Sequence, residues 1–430
     1  MKPVRIASWS RVLPAKTRLM ECAPGAVNRL SELGTSFIPR GSGRSLGDAA
    51  YLTGGVTLLS RRLCGISEFD AERGAILCES GVQLIDLFRF LEGSGWTVPV
   101  GGGTRWVTVG GAVAADIHGK NDVRLGSFGN HVERLQLTLA SGEEVECSTR
   151  VRPELFAATV GGMGLTGFIT HVRLRLFRGL SSAVHARTSR FSTVEEMLAG
   201  FRQGSDFQVA WIDLTTHRWR GIYHAASYVE GRVEDRYAPF ELRVPPVKLF
   251  NRQTVRWLNA ARYRQQDHVD RITHVMNVHY PVDLLKHWNN LYGPRGFQEY
   301  QFVVSAEALP QAFTAFIEGI HRFGLAPFFV VVKQFGAMSR EGLLSFPKAG
   351  FTVMADFEHR PEHQRFFEYF TDLLLEMGGR TYLAKDSYTL PRQFERMYDG
   401  IGRWRDVVRQ ADPANRIQSN LSTRLGMKPW

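Results

Sequence analysis

VPVGGGTRWVTVGGAVAADIHGKNDVRLGSFGN, residues 98–130, governs how the rest of the chain is read. Glycines stand at 101, 102, 103, 110, 111, 119, 126 and 129 among small and β-branched residues, with His118 and Lys120 near the centre. Glycine loses the most conformational freedom on folding, so this density implies tight turns or close approach of another group to the backbone. Bare N–H groups in such turns bind anions, phosphate above all. A loop-rich β region with no ligand would carry the same composition.

Upstream, SFIPRGSGRSLGD (36–48) runs a short apolar strand into a turn with glycines at 41, 43 and 47 and arginines at 40 and 44. Backbone N–H groups converging there could hold an anion, with the arginines supplying charge. From spacing alone an exposed turn is an equal reading. The chain contains no GxxxxGK[ST], so it is not a Walker A loop. Downstream, GGMGLTG (161–167) contains GxGxxG at Gly162, Gly164 and Gly167. A dinucleotide fingerprint should open a helix, yet FITHVRLRLF (168–177) alternates as a strand, which argues against a Rossmann site.

Around these turns, GVTLLS (55–60) and AILCES (75–80) read as strands. Val82, Ile85, Phe88 and Leu91 recur at helical spacing, and residues 132–147 alternate as a hairpin about Ser141-Gly142. After about Leu180 the character changes. FQVAWIDL and GIYHAASYV are aromatic-rich strands. The order from 298 is strand (QEYQFVVS), helix 309–323, strand (PFFVVVKQF), strand (GFTVMADF), helix 362–377 and strand (RTYLAKD). This predicts an α+β chain whose later part is an antiparallel sheet covered by helices.

Two lysines, Lys333 and Lys385, interrupt otherwise apolar strands. Burying a lysine is costly unless it is paired or faces a pocket, and a snorkelling surface lysine is the competing reading. Residues 244–266 form a basic amphipathic segment. Val247, Phe250, Val255, Leu258 and Ala261 are placed on one face, with Lys248, Arg252, Arg256, Arg262 and Arg264 nearby. Such a segment could rest on an anionic membrane through 248–264, or pack as an ordinary helix.

The 430 residues are enough for two or three domains, with 44% hydrophobic and 22% charged content. Cys22, Cys64, Cys78 and Cys147 show no metal-ligand spacing and fit reduced thiols. No metal site is predicted. A net charge of +11 favours acidic partners, but the basic residues are dispersed and no nucleic-acid motif occurs. No apolar run reaches the roughly 18–20 residues of a membrane span, and the N-terminus lacks a secretion-type apolar core. The expected location is cytoplasmic, with contact at the inner face of the plasma membrane as the variant reading.

PRGSGRSLGD, GGGTRWVTVGGAVAADIHGKN with GSFGNHV, ATVGGMGLTGFIT and YLAKDS, in that order, resemble the vanillyl-alcohol-oxidase-type FAD flavoproteins. Within them the chain is most similar to the decaprenylphosphoryl-β-D-ribose 2-oxidase group. The resemblance spans nearly the whole chain. It implies an FAD-binding domain made of residues 1–180 completed by 381–430, with a substrate domain, 181–380, inserted between.

By the same resemblance Pro39, Arg40, Gly41, Ser42, Gly43, Arg44, Ser45, Leu46, Gly47, Asp48 and Ala49 form the pyrophosphate loop of FAD. Gly103, Thr108, Val109, Gly110, Gly111, Ala115, Asp116, Ile117 and His118 line the cofactor, and Ile169 and Tyr382 complete the flavin pocket. The flavin is expected to be non-covalent, although His118 stands where some relatives attach it. Lys385 is implied as base or proton relay with His118 beside it. Lys120, Gln301, Lys333 and Met354 join Lys385 in binding substrate.

The implied reaction turns a ribose 2-hydroxyl on a lipid-linked sugar phosphate into a ketone, which a separate NADH-dependent short-chain reductase then reduces. The net change is epimerisation of ribose to arabinose in cell-envelope glycan synthesis. Departures from the pattern cluster at the pocket. Met354 stands for a cysteine, Thr352 for an asparagine, Leu46 for a tyrosine and Glu299 for a glutamine. An oxidase of a soluble polyol, sugar or sugar lactone, or a flavin- or lipid-phosphate-binding scaffold without turnover, are the competing readings.

Overall fold

A computed structural model describes residues 2–23, 27–179, 181–216, 218–235, 240–243, 249–266, 268–338 and 340–430. Within them the apolar run at 55–60 becomes the centre of a sheet. β1 (Pro3–Ile6), β2 (Ala15–Glu21), β3 (Phe37–Arg40) and β4 (Val56–Leu59) lie in the order β1-β2-β4-β3. β4 runs parallel to both its neighbours. β3 therefore ends level with β4 and delivers the glycine turn at 41–47 to one edge of the sheet.

β5 (Ile66–Asp70) and β6 (Ala75–Glu79) begin a second, antiparallel sheet. Helix α1 (Leu84–Leu91) and the short strand β7 (Trp96–Thr97) follow. Next come α2 (Val109–Ala114), α3 (Asp122–Leu125), the hairpin β8 (Val132–Thr138) and β9 (Glu144–Cys147), α4 (Pro153–Thr159) and β10 (Phe168–Arg175). The sheet order is β5-β6-β10-β8-β9, and β11 (Phe177–Arg178) pairs with β7. The GxGxxG stretch thus leads into a strand, as its alternation requires.

The third sheet has eight strands. β12 (Ala183–Phe191), β13 (Phe207–Asp213) and β14 (Arg220–Tyr228) flank α5 (Val194–Arg202), and β15 (Phe240–Glu241) precedes α6 (Arg252–Gln265). β16 (Asp270–His274), α7 (Val275–His279), β17 (Leu285–Lys286), β18 (Phe297–Val304), α8 (Leu309–Arg322), β19 (Phe329–Phe335), β20 (Gly350–Glu358), α9 (Gln364–Glu376) and β21 (Arg380–Thr381) follow. The order is β16-β12-β14-β13-β19-β20-β18-β21, while β15 and β17 pair separately. Pairing within this sheet is antiparallel.

Side chains alternate across a strand, so each strand of this sheet has two different faces. Tyr300, Phe302, Val330, Val332, Phe351, Val353, Ala355 and Phe357 pack with Phe313, Phe316, Phe366, Phe367 and Phe370 of α8 and α9. Each buried Phe of this kind contributes on the order of 1.5–3 kcal/mol. The opposite face carries Glu299, Gln301, Lys333, Thr352, Met354 and Asp356. That polar face looks toward the glycine-rich part of the chain.

After β21 the chain returns to the first sheet through α10 (Pro391–Phe394), α11 (Ile401–Ala411) and α12 (Asn420–Leu425). Trp404, Val408, Ile417, Leu421 and Leu425 share a core with Phe37, Ile38, Val56 and Leu58. Ile417 forms an isolated bridge to Phe37. Arg424 reaches Asp48 and Asp386 together.

Two sequence expectations are corrected. Strand RTYLAKD ends after Thr381, because β21 pairs with β18 only at Phe302 and Val303. The Lys385 N–H then bonds back to Tyr382 O, so Lys385 sits on a 3₁₀ turn. In α6 the buried residues are Val255 and Asn259, whereas Leu258 is 41% exposed beside Trp257 at 70%. Asn259 donates to the buried carboxylate of Asp213 (3.1 Å) and Arg262 lies over the Trp211 ring (4.8 Å), which turns the helix away from the expected face. Val247 and Lys248, part of that expectation, lie outside the described residues.

Candidate active site

The turn after β3 is built to press backbone against backbone. A Cβ at Gly41 would lie 2.1 Å from Thr108 Oγ1, and one at Gly47 would lie 1.9 Å from Asp386 O, so neither position has room for a side chain. Gly43 adopts φ +63°, which glycine takes without strain. Leu46 N–H donates to Ala384 O (2.9 Å), Trp9 N–H donates to Ser45 O (2.9 Å), and Ala49 is buried. Arg40, next to Pro39 at the end of β3, donates to Ala50 O (3.2 Å). Arg44 stacks on Trp9 (3.8 Å). The Gln83 amide joins Ser42 Oγ (2.8 Å) to Trp106 O (2.9 Å), tying this turn to the glycine-rich stretch.

Within that stretch Thr108 caps α2, its hydroxyl accepting from Gly111 N–H (3.2 Å). Val109 and Gly110 are buried, and a Cβ at Gly110 would meet Ser80 at 2.7 Å. Gly103 instead borders open space. Ile117 and Ile169 belong to one apolar cluster. Asp116, fully buried, accepts from Ser127 Oγ (2.9 Å), Gly129 N–H (2.8 Å) and Ser345 Oγ (2.6 Å), so it fastens the glycine loop to a distant segment. Burial raises its carboxyl above the usual range. Ala115 O accepts from the Tyr382 hydroxyl (2.8 Å).

His118 lies between the glycine-rich stretch and the polar face of the eight-stranded sheet. Its ring is 4.8 Å from Phe335, 5.4 Å from Phe346 and 5.1 Å from Tyr382. The hydrogen-bond network assigns its tautomer. Thr352 gives its hydroxyl proton to Phe302 O (2.8 Å) and therefore accepts from the Gln301 amide (2.9 Å). The same amide donates to His118 Nε2 (2.9 Å), which places the ring proton on Nδ1. Burial, then Lys333, Lys385 and Arg340, hold the imidazole pKa well below its ordinary value, so the ring is neutral.

The polar sheet face completes the cluster. Lys385 Nζ forms an ion pair with Glu299 and lies 3.3 Å from Met354 Sδ. Tyr292 donates to Asp356 (2.8 Å). Lys333 is pushed down to about 7 by burial and by Lys385. His118, Gln301, Lys333, Met354, Lys385 and Tyr382 are thus brought into one neighbourhood. Lys120 turns elsewhere, its ammonium bonded to the carbonyls of Val278 and His279 at the end of α7. Burial and then Lys333 push it down to about 7. Sequence reasoning missed Asp356 and Tyr292. A carboxylate alternating with buried apolar residues in FTVMADF was the available signal.

These features fit a dinucleotide flavin. Side-chain-free backbone at Gly41 faces the cap of α2, with Gly43 and Gly47 in the same turn, and such turns receive pyrophosphate. His118 Nδ1 and Gln301 Oε1 are buried with no hydrogen-bond partner among the described residues, and the heteroatoms of a flavin ring would supply partners. Among those residues no group of His, Cys, Asp and Glu could hold a metal ion.

Comparison with known proteins bears on the same residues. A family model described as FAD binding domain matches residues 24–148, and one described as D-arabinono-1,4-lactone oxidase matches 349–425. Decaprenylphosphoryl-β-D-ribose oxidase of Mycolicibacterium smegmatis is 33% identical across 98% of this chain and 97% of its own length. The chain belongs to the decaprenylphosphoryl-β-D-ribose oxidase family. It is an FAD-dependent oxidoreductase. The chain is also similar, more distantly, to other proteins. An uncharacterized Streptomyces coelicolor protein is 27% identical across 77% of this chain and 96% of its own length. L-gulonolactone oxidase of Bos taurus is 28% identical, across 37% of this chain and 35% of its own length.

Proposed function

We propose that the chain oxidises the 2-hydroxyl of a polyprenyl-phosphate-linked ribose to the ketone. The observation that carries this reading is the match to the Mycolicibacterium smegmatis oxidase across essentially both whole chains. FAD, when bound, supplies the two-electron acceptor for the carbinol C–H bond. The chain's own groups do the rest. Residues 1–180 with 381–430 hold the cofactor, a division supported by the shared core of β3, β4, α11 and α12. Residues 181–380 present the polar sheet face to the sugar. Non-covalent flavin is expected; His118 Nδ1–H would be available to hold it, with Gln301 fixing the imidazole. Lys385, ion-paired with Glu299, orients the reacting hydroxyl and relays its proton. Lys333 is the cation available for other polar groups of the sugar phosphate.

A lipid-linked substrate also suits the α6 surface. Trp257, Leu249 and Leu258 are exposed there beside exposed Arg252, Arg256 and Arg264. Apolar and basic side chains together favour an anionic bilayer surface. No helix among the described residues is long and apolar enough to cross a membrane. In the family scheme the keto product passes to a separate NADH-dependent reductase.

The test is anaerobic mixing of the flavin-loaded protein with farnesylphosphoryl-β-D-ribose while following the flavin band near ~450 nm. Bleaching in the wild type, lost in a flavin-loaded Lys385→Ala variant, is the expected result. Bleaching by a soluble sugar lactone and none by the lipid would transfer the assignment to the lactone oxidases, whose family model matches residues 349–425.

A further inference from the structure

β18 and β20 are antiparallel neighbours, and Glu299 stands directly opposite Asp356 in that pairing. Both side chains leave the sheet on the face away from the phenylalanine core. Both are buried, with 6% and 2% exposure. Their carboxyl groups stand on the same face directly across the strand pair, and Asp356 Oδ1 is buried with no hydrogen-bond partner among the described residues. Two carboxylates have no donor between them, and two like charges this close and this dry do not both persist. The pair therefore holds one proton.

The surroundings decide which member carries it. Lys385 is ion-paired with Glu299. Asp356 has the neutral hydroxyl of Tyr292 as its other partner (2.8 Å). Burial and then Glu299 push the Asp356 carboxyl well above its usual range. Lys333, on the adjacent strand β19, and Lys385 are the cations nearby, and His118 beside them is neutral. The proton of the pair is therefore assigned to Asp356, with Glu299 as the ion-pair partner of Lys385.

We propose that Glu299 and Asp356 form a one-proton acid pair that stores, through Lys385, the proton released by the substrate hydroxyl. The inference rests on the alcohol-oxidation reading above. As the substrate O–H bond breaks, its proton passes to Lys385 Nζ while Nζ passes one of its own to Glu299. FAD, when bound, would take up the carbinol hydrogen with the electron pair of the C–H bond. The alcohol becomes a ketone, Lys385 ends as the ammonium it began as, and Glu299 ends protonated beside protonated Asp356. Glu299 and Asp356 act through Lys385 and are positioning residues. Tyr292 holds Asp356 in place.

Two measurements test this, using Glu299→Gln and Asp356→Asn, which keep shape and hydrogen bonding. The first needs no substrate. Infrared difference spectra of the flavin-loaded protein, wild type minus Asp356→Asn, should show one protonated-carboxyl band that persists at neutral pH. Its absence overturns the shared proton. The second is stopped-flow flavin reduction with a pH indicator present. The wild type should bleach without promptly releasing a proton. Glu299→Gln should bleach on the order of a hundredfold more slowly, with unchanged substrate affinity and an altered pH profile. Wild-type rate and pH profile in flavin-loaded Glu299→Gln, or prompt release of one proton per flavin in the wild type, would refute the store. If the wild type fails to bleach at all, the pentose reading falls, and the infrared result still decides the pair.

Discussion

Lys428→Met tests how the C-terminal tail secures the cofactor end of the molecule. Lys428 Nζ meets Asp412 Oδ2 at 2.5 Å, with the two side chains 2% and 0% exposed. Nζ also donates to Ile417 O (2.8 Å), while Asp412 accepts from the N–H groups of Arg416 and Ile417 (2.8 Å each). Methionine roughly fills the volume but leaves the Asp412 charge with only those backbone donors. Breaking a buried pair from one side costs about 3–5 kcal/mol. The double variant Asp412→Asn/Lys428→Met removes the stranded charge and should recover more than half of that loss. Ile417 adjoins Phe37, which opens the strand leading into Gly41–Gly47, so the single variant should also retain less flavin. Urea titration read by tryptophan fluorescence measures the stability, and the flavin-to-protein absorbance ratio measures the loading. A loss below about 1 kcal/mol, the range of exposed pairs, would refute the reasoning. So would a double variant as unstable as the single one.

Gly47→Ala would place its Cβ 1.9 Å from Asp386 O, so the turn must move, and purified protein should carry markedly less flavin by absorbance. Full loading would contradict the close-packed turn. Lys120 is pushed down to about 7 in the fold from an ordinary 10.5, so between those values the unfolded chain binds more protons. Its contribution to stability therefore grows as pH rises from about 7 toward 10.5, and Lys120→Met should flatten that slope in denaturation measured across the window. His118 should stay neutral through the range in which a free histidine titrates, with no titration of its ring there in ¹⁵N-histidine NMR. A titration near its ordinary 6.5 would overturn the buried, cation-flanked environment.

The architecture was largely legible in the sequence because its signals are local. Period-two alternation marked β18, β19 and β20, and helical spacing of phenylalanines marked α8 and α9. Clustered glycines marked the turns at 41–47 and 101–111, where the structure leaves no room for Cβ atoms at Gly41, Gly47 and Gly110. The ordered motifs pointed to an FAD-dependent oxidoreductase, which the full-length family match supports.

The tertiary structure decided the partners. Local pattern can say that Glu299, Gln301, Thr352, Met354 and Asp356 share a polar face only once the strands are paired, and pairing register is a long-range property. Burial then sets the chemistry. Glu299 meets Asp356 across the sheet and Lys385 from a 3₁₀ turn, a pairing that no local pattern announced. Lys120, two residues from His118, turns to the carbonyls ending α7 because those acceptors satisfy a buried ammonium. Leu258 faces outward because Asn259 finds Asp213. Each of these outcomes depends on desolvated polar groups finding partners far away in the chain, where local propensity carries no information.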